Sequence, residues 1–224
     1  MRRFVGLSVA DRDRLPTRCA SCVFWETPTR LPLECGARCD PAAAAAWVRT
    51  VSTEWGECGR VALGDGEVLG FIKYAPPSAV PQARLMPAGP PVEGAALIMC
   101  MHIAPDARRL GVGGVLLRAA LRDLSQRGER AVQAYATTVR GAMDDVPVVG
   151  VEFLLRHGFR VVRPHPTTPL LRLDLRTLVT WTENLEHVLE SLRIPVGVPR
   201  RAPATLLVTD RAADGGAYAA DVIA

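Results

Sequence analysis

The stretch Met101-His102-Ile103-Ala104-Pro105-Asp106-Ala107-Arg108-Arg109-Leu110-Gly111-Val112-Gly113-Gly114 carries the residue types and spacing best suited to chemistry. An apolar run of buried-strand length, residues 95–103, leads into a short turn. Glycines then open an amphipathic segment, 111–127, with Leu117, Leu121 and Leu124 on one face. A helix that begins this way offers unpaired N–H groups and the positive end of its macrodipole, which suits a pyrophosphate. Glycine lets phosphate oxygens approach the backbone, and Arg108 and Arg109 add charge in a geometry that grips them. Two common phosphate loops fail the count. No lysine follows these glycines, as a Walker loop requires, and G-x-G-x-x-G counted from Gly111 and Gly113 ends on Leu116. The pattern that fits is R-x-x-G-x-G, from Arg108 to Gly113.

Two further sets hold reactive groups. Cys19-x2-Cys22-x12-Cys35-x3-Cys39 approaches the spacing of a four-thiolate structural zinc site. Such thiols can instead form a redox pair or remain ordinary. Cys22 runs directly into Val23-Phe24-Trp25, and Pro32-Leu33 precedes the second pair where a zinc knuckle would carry glycine. Cys100, inside the apolar run, reads as a small buried hydrophobe. His102 has a neutral imidazole able to accept a proton at pH 7. It reads equally as a strand histidine hydrogen-bonded in the core or on the opposite face.

The elements that must position these residues follow from pattern. Residues 4–9 read as a short edge strand, and 18–39, broken by Pro28 and Pro32, as a loop-rich insertion. Asp40-Pro41 caps and starts a helix that Ala42 to Ala46 propagate and Gly56 ends. Residues 58–63 and 67–74 form a hairpin about Gly64-Asp65-Gly66. Residues 75–91 carry six prolines and read as a loop long enough to lie over a binding site. After the glycine-led helix, 131–137 is a strand, and 150–156 a short helix closed by His157-Gly158. Residues 159–162 and 170–175 are closing strands. Residues 177–224 hold an amphipathic helix, 182–192, and a mobile tail.

Length and composition suit one α/β domain of moderate size or two small ones. The 224 residues are 49% hydrophobic and 22% charged, with a mean hydropathy of +0.13. Apolar runs fall short of a bilayer, and Asp11, Arg12 and Asp13 interrupt any secretory core, so the reading is cytoplasmic, with no membrane partner. The net charge of +4 is spread out and aromatics total 5%, which gives no nucleic-acid surface. Nearly all the cations are arginine; Lys73 is the single lysine.

The strand leading to Arg108-Arg109-Leu110-Gly111-Val112-Gly113, with Ile103-x-Pro105 before it and His157-Gly158-Phe159 after the last helix, resembles the GCN5-related N-acetyltransferase (GNAT) family. Cys19-Ala-Ser-Cys22-Val-Phe-Trp25-Glu26 and Glu54-Trp55-Gly56-Glu57-Cys58-Gly59 look like features of an actinobacterial branch. The resemblance covers residues 1–176 and implies a mixed, mostly antiparallel sheet flanked by helices, with acyl-CoA held at splayed central strands. It implies acetyl-CoA as co-substrate, its pyrophosphate on Leu110 to Gly114, Val112 and Gly113 included, beside Arg108 and Arg109. Its pantetheine arm would run along Met101, His102 and Ile103 like an added strand. A primary amine of an unidentified small molecule, peptide or protein would attack the thioester directly, and small domains of this kind often pair as homodimers. The position of a catalytic Glu in some members is Leu97 here, leaving His102 as the nearest base, with Glu93, then Glu57 and Glu152, as weaker candidates. The position of the acid Tyr is Leu154 and that of an upstream Asn is Pro147. These departures keep two alternatives open: an acyl-CoA-binding sensor without turnover, and a zinc-stabilised interaction protein.

Overall fold

The computed structural model describes residues 2–11, 14–28, 38–139 and 147–176. The helix and tail read for 177–224, and Cys35, lie outside the described residues. The described strands form one open sheet in the order β1-β2-β3-β4-β5-β8-β7. They are β1 (Arg2–Gly6), β2 (Gly59–Gly64), β3 (Glu67–Ala75), β4 (Ala96–Ile103), β5 (Ala131–Thr137), β7 (Arg160–Arg163) and β8 (Leu170–Asp174); a two-residue β6 (Val149–Gly150) adds to β5. All pairings are antiparallel except β4 with β5 and β5 with β6. The mixed, mostly antiparallel sheet expected from the sequence is therefore present.

Local chemistry explains the elements. Asp65 and Gly66 both have positive φ, 50° and 92°, the signature of a hairpin turn matched to strand twist. Helix α2 (Pro41–Glu54) is capped by the Asp40 carboxylate, which accepts the Ala43 N–H at 2.9 Å, and buries Ala44, Val48 and Val51 at helical spacing. A four-residue helix, α1 (Thr17–Ala20), interrupts the loop-rich N-terminal segment. Helix α3 (Val112–Gln126) buries Leu116, Leu117, Ala120, Leu121 and Leu124 against the sheet, and α4 (Val151–Arg156) adds Leu154 to the same core.

Strand alternation sends Ile72, Tyr74, Ala96 and Ile98 to the α3 face. Ala75, Leu97, Met99 and Tyr135 go to the other face, which Phe24, Trp25, Val48 and Val51 cover. The proline-rich segment joins this second core rather than lying open. Val80, Ala83, Met86 and Ala88 are buried, the Tyr135 hydroxyl donates to Ala83 O at 2.7 Å, and the Trp47 indole donates to Ala79 O at 2.8 Å. One polar network braces α3: the buried Asp123 carboxylate accepts from Arg60 (2.9 Å), Arg127 (2.8 Å) and the Tyr74 hydroxyl. Burial and the neighbouring carboxylate hold the Tyr74 phenol strongly protonated. Among the described residues no helix is long and apolar enough to cross a membrane.

Candidate functional site

The centre of the site is the point where β4 and β5 part. Their parallel ladder joins Ala96, Leu97 and Ile98 to Val132, Gln133 and Ala134, and ends there. Beyond it β5 continues and takes β6 as its neighbour at Ala136 and Thr137. Among the described strands, none pairs with this side of β4 from Met99 onward. On its other side β4 pairs with β3, and the Ala104 N–H donates to Leu69 O at 2.9 Å. Alternation along the strand therefore points the N–H and C=O groups of Met101 and Ile103 at the open side. Arg108 confirms the direction, donating its Nε–H to Ile103 O at 3.2 Å.

The open edge leads into the glycine loop. A 3-10 turn, Pro105–Ala107, reverses the chain; Arg109 (φ 61°) and Gly111 (φ 78°) then take left-handed conformations. Gly111 is the N-cap of α3 and has no side chain to satisfy the first N–H groups. Gly113 faces inward, not toward the loop: a Cβ there would meet Met101, Phe153 and Ile103 carbons at 3.6–3.7 Å. Gly114 is flanked by His157 Nε2 and Arg118 Nη1, 3.3 and 3.4 Å from an added Cβ. His157 hydrogen-bonds Phe153 O through Nδ1 at 2.8 Å, so that nitrogen carries the proton and Nε2 is the end turned to the start of α3. In the sequence His157 marks a helix stop and, with Gly158 and Phe159, the family pattern, while Arg118 carries no local signal.

Beside the open edge lies a cavity of about 290 Å³. Its floor is the face of β3 and β4 opposite α3. A bulge shapes that floor: Lys73 pairs with Cys100 and Tyr74 with Ile98, so Met99 is an extra residue. Met99 and Cys100, consecutive in sequence, therefore both turn from α3. Lys73 with Cys100, and Phe71 with His102, form successive cross-strand pairs lining the cavity. The His102 ring stacks on Phe71 with centroids 6.0 Å apart.

The facing wall is the N-terminal segment, including Cys19, Cys22, Trp25 and Glu26. Trp25 fastens it: the buried indole donates to Pro147 O at 2.9 Å and stacks on Tyr135 at 6.0 Å. Glu26 pairs with Lys73 between wall and floor, and Lys73 also lies 4.7 Å over the Trp47 ring. Burial by itself would drive the proton off Lys73, but Glu26, with Cys100 and Cys22, outweighs it and the ammonium is held above the ordinary lysine range.

Several expectations are relocated. Glu93 is exposed, before the start of β4. Ala96 alone is six residues from His102, about 20 Å at strand rise, so Glu93 does not reach the cavity. Glu57 is salt-bridged to Arg60, Glu152 is on the surface, and neither lines the cavity. Of the four-cysteine set, Cys19, Cys22 and Cys39 are described and Cys35 lies outside the described residues. Cys22 and Cys39 share a backbone bridge, but Cys19 and Cys22 belong to the cavity and the exposed Cys39 does not. Among the described residues no three His, Cys, Asp or Glu side chains form a group able to hold a metal. Cys100 lines the cavity and is half-buried rather than enclosed in the core. The proline-rich segment and Glu54–Trp55 meet around a separate cavity of about 200 Å³ that shares no residue with the first.

Residues 24–144 match the sequence model of the acetyltransferase (GNAT) family, more than half of the chain. The chain belongs to the GNAT acetyltransferase family. No curated protein matches it. Solved structures agree on the GNAT fold. An N-acetyltransferase from Staphylococcus aureus Mu50 is 14% identical over 78% of this chain and 99% of its own, with a TM-score of 0.53. The loading GNATL domain of CurA from Lyngbya majuscula is 10% identical over 79% and 99%, at 0.52. The GphF GNAT-like decarboxylase, in complex with isobutyryl-CoA, is 20% identical over 78% and 100%, at 0.50. In this GNAT chain Leu97 and Leu154 are fully buried in apolar cores, so neither position presents a group to the cavity.

Proposed function

We propose that this GNAT protein is an acetyl-CoA-dependent N-acetyltransferase acting on a primary amine of a small molecule, peptide or protein, in the cytoplasm. The observation that carries the reading is the continuity of the open β4 edge with the uncapped start of α3. Met101 and Ile103 offer outward N–H and C=O groups to an extended amide-bearing arm, and the first N–H groups of α3 suit the pyrophosphate that ends it. Arg108, Arg118 and His157 supply cationic or hydrogen-bonding groups around that end.

In this reading the acetyl group lies beside Met101, whose N–H receives the charge that develops on the carbonyl oxygen. The amine enters the adjacent cavity and attacks the thioester carbon directly. His102, on the cavity floor, takes the ammonium proton that must leave first. A general acid is dispensable, because a thiol of ordinary pKa about 8.5 leaves readily as thiolate. The buried leucine at 154 is compatible with that.

The experiment is acetyl-CoA turnover against an amine panel, followed by thiol release, with His102→Gln beside the parent. The parent turns over, and the variant loses about tenfold or more in kcat/KM together with the acid limb of its pH profile. Acetyl-CoA binding with no transfer to any amine would overturn the transferase reading. An unchanged pH profile in the variant would remove His102 as base.

A further inference from the structure

Direct transfer to an amine uses none of the three cysteines that line the cavity, Cys19, Cys22 and Cys100. Cys100 differs from the others in position. It lies on β4 immediately before Met101, next to the edge where the thioester would lie. Its cross-strand partner is Lys73, the chain's single lysine, and His102 follows two residues on along the same cavity floor. Glu26 fixes the Lys73 ammonium in place, close enough to Cys100 and Cys22 for negative sulfur to bind its proton more tightly. The same attraction favours a thiolate opposite the ammonium, against the smaller opposing effect of the Glu26 carboxylate paired with it. A thiol, an imidazole and a fixed cation thus share one face of a cavity, an arrangement that activates a cysteine nucleophile.

We propose that Cys100 is itself an acyl acceptor: when no amine occupies the cavity, it takes the acetyl group from acetyl-CoA. This rests on the reading that acetyl-CoA docks along Met101 to Ile103. The Cys100 sulfur attacks the thioester carbonyl and forms a new C–S bond, and the C–S bond to CoA breaks. His102 takes the Cys100 proton and returns it to the departing CoA sulfur. The products are S-acetyl-Cys100 and CoA thiol; one thioester replaces another, and no oxidant or reductant is consumed. The acetyl group then projects into the acceptor cavity as a bound donor. Cys19 and Cys22 stand on the facing wall, in the N-terminal segment rather than on β4.

The full chain is incubated with acetyl-CoA and no amine, freed of ligand, and examined by denaturing intact mass and peptide mapping. The expected result is one added acetyl group on Cys100, removed by neutral hydroxylamine. It falls about tenfold or more in Cys100→Ser and persists in Cys39→Ser, a surface control outside the cavity. Native spectra taken before the ligand is removed separate the two readings and show that Cys100→Ser is folded by its acetyl-CoA adduct. An adduct without covalent label overturns the Cys100 inference and leaves the co-substrate reading standing. No adduct and no label overturns both. Label on Cys19 or Cys22, or a hydroxylamine-resistant label on Lys73, also overturns the assignment to Cys100.

Discussion

Replacing Glu26 by Gln leaves a buried ammonium without its counter-charge. The two side chains are only 11% (Lys73) and 4% (Glu26) exposed, so water does little to replace the lost carboxylate. Breaking a buried pair in this way costs about 3–5 kcal/mol. The Trp47 ring, 4.7 Å away, faces the ammonium in parent and variant alike and so does not offset the loss. Deprotonation sets a ceiling: releasing a lysine proton at pH 7 costs about 4.6 kcal/mol from an ordinary pKa of about 10.4. We therefore expect Glu26→Gln to lose about 3 kcal/mol or more of stability, up to that ceiling. Lys73→Met strands the carboxylate instead, at a cost of about 3–5 kcal/mol. The double variant removes both charges and should lie within about 1 kcal/mol of the parent. Urea unfolding of the four proteins at pH 7 reads this cycle directly. The sign of the pH dependence follows from the raised Lys73 pKa: its contribution is fully present below the unfolded value of about 10.4 and is lost as pH rises through the folded one. Single variants that cost under about 1 kcal/mol and simply add would refute the reasoning, since the pair would then be solvent-screened.

Three further outcomes test the surrounding structure. Gly111→Ala places a side chain at φ 78°, which should cost about 1–2 kcal/mol of stability and, by shifting the first turn of α3, weaken acetyl-CoA about tenfold in calorimetric titration. Gly113→Ala should be tolerated at its 3.6 Å contacts, whereas Gly113→Glu drives a carboxylate among Met101, Ile103 and Phe153 and should abolish the thermal transition rather than ligand binding alone. Asp123→Ala removes the acceptor shared by Arg60, Arg127 and Tyr74 and should cost about 3 kcal/mol in urea unfolding, against about 1 kcal/mol for Tyr74→Phe.

Local pattern was enough for most elements, although the edge strand read at 4–9 is Arg2–Gly6 and the loop-rich 18–39 overlaps the short helix Thr17–Ala20. Asp40-Pro41 announces a capped helix and Gly64-Asp65-Gly66 a hairpin, because capping and positive-φ turns are decided within a few residues. The two-residue β6 was not legible, since its pairing with Ala136 and Thr137 depends on β4 having left β5. The cavity beside β4 was not legible for a related reason. Lys73 and Cys100 meet only through the β3–β4 register, and Glu26 reaches Lys73 because Trp25 anchors a distant segment on Pro147. The one available signal was a single lysine in an arginine-rich chain. Cysteine spacing gives a candidate metal set of which the described residues place Cys19 and Cys22 on the cavity wall and Cys39 at the surface, with Cys35 outside them. Proline content suggested a lid over 75–91, where Val80, Ala83 and Met86 instead supply core on the back of the sheet.

The central claim is that the open β4 edge and the start of α3 together hold acetyl-CoA. Native mass spectrometry of the folded chain with added acetyl-CoA tests it most directly. One increment of acetyl-CoA mass per chain, weakened in Gly111→Ala, is the result expected. A folded chain that shows no increment at saturating acetyl-CoA would contradict it.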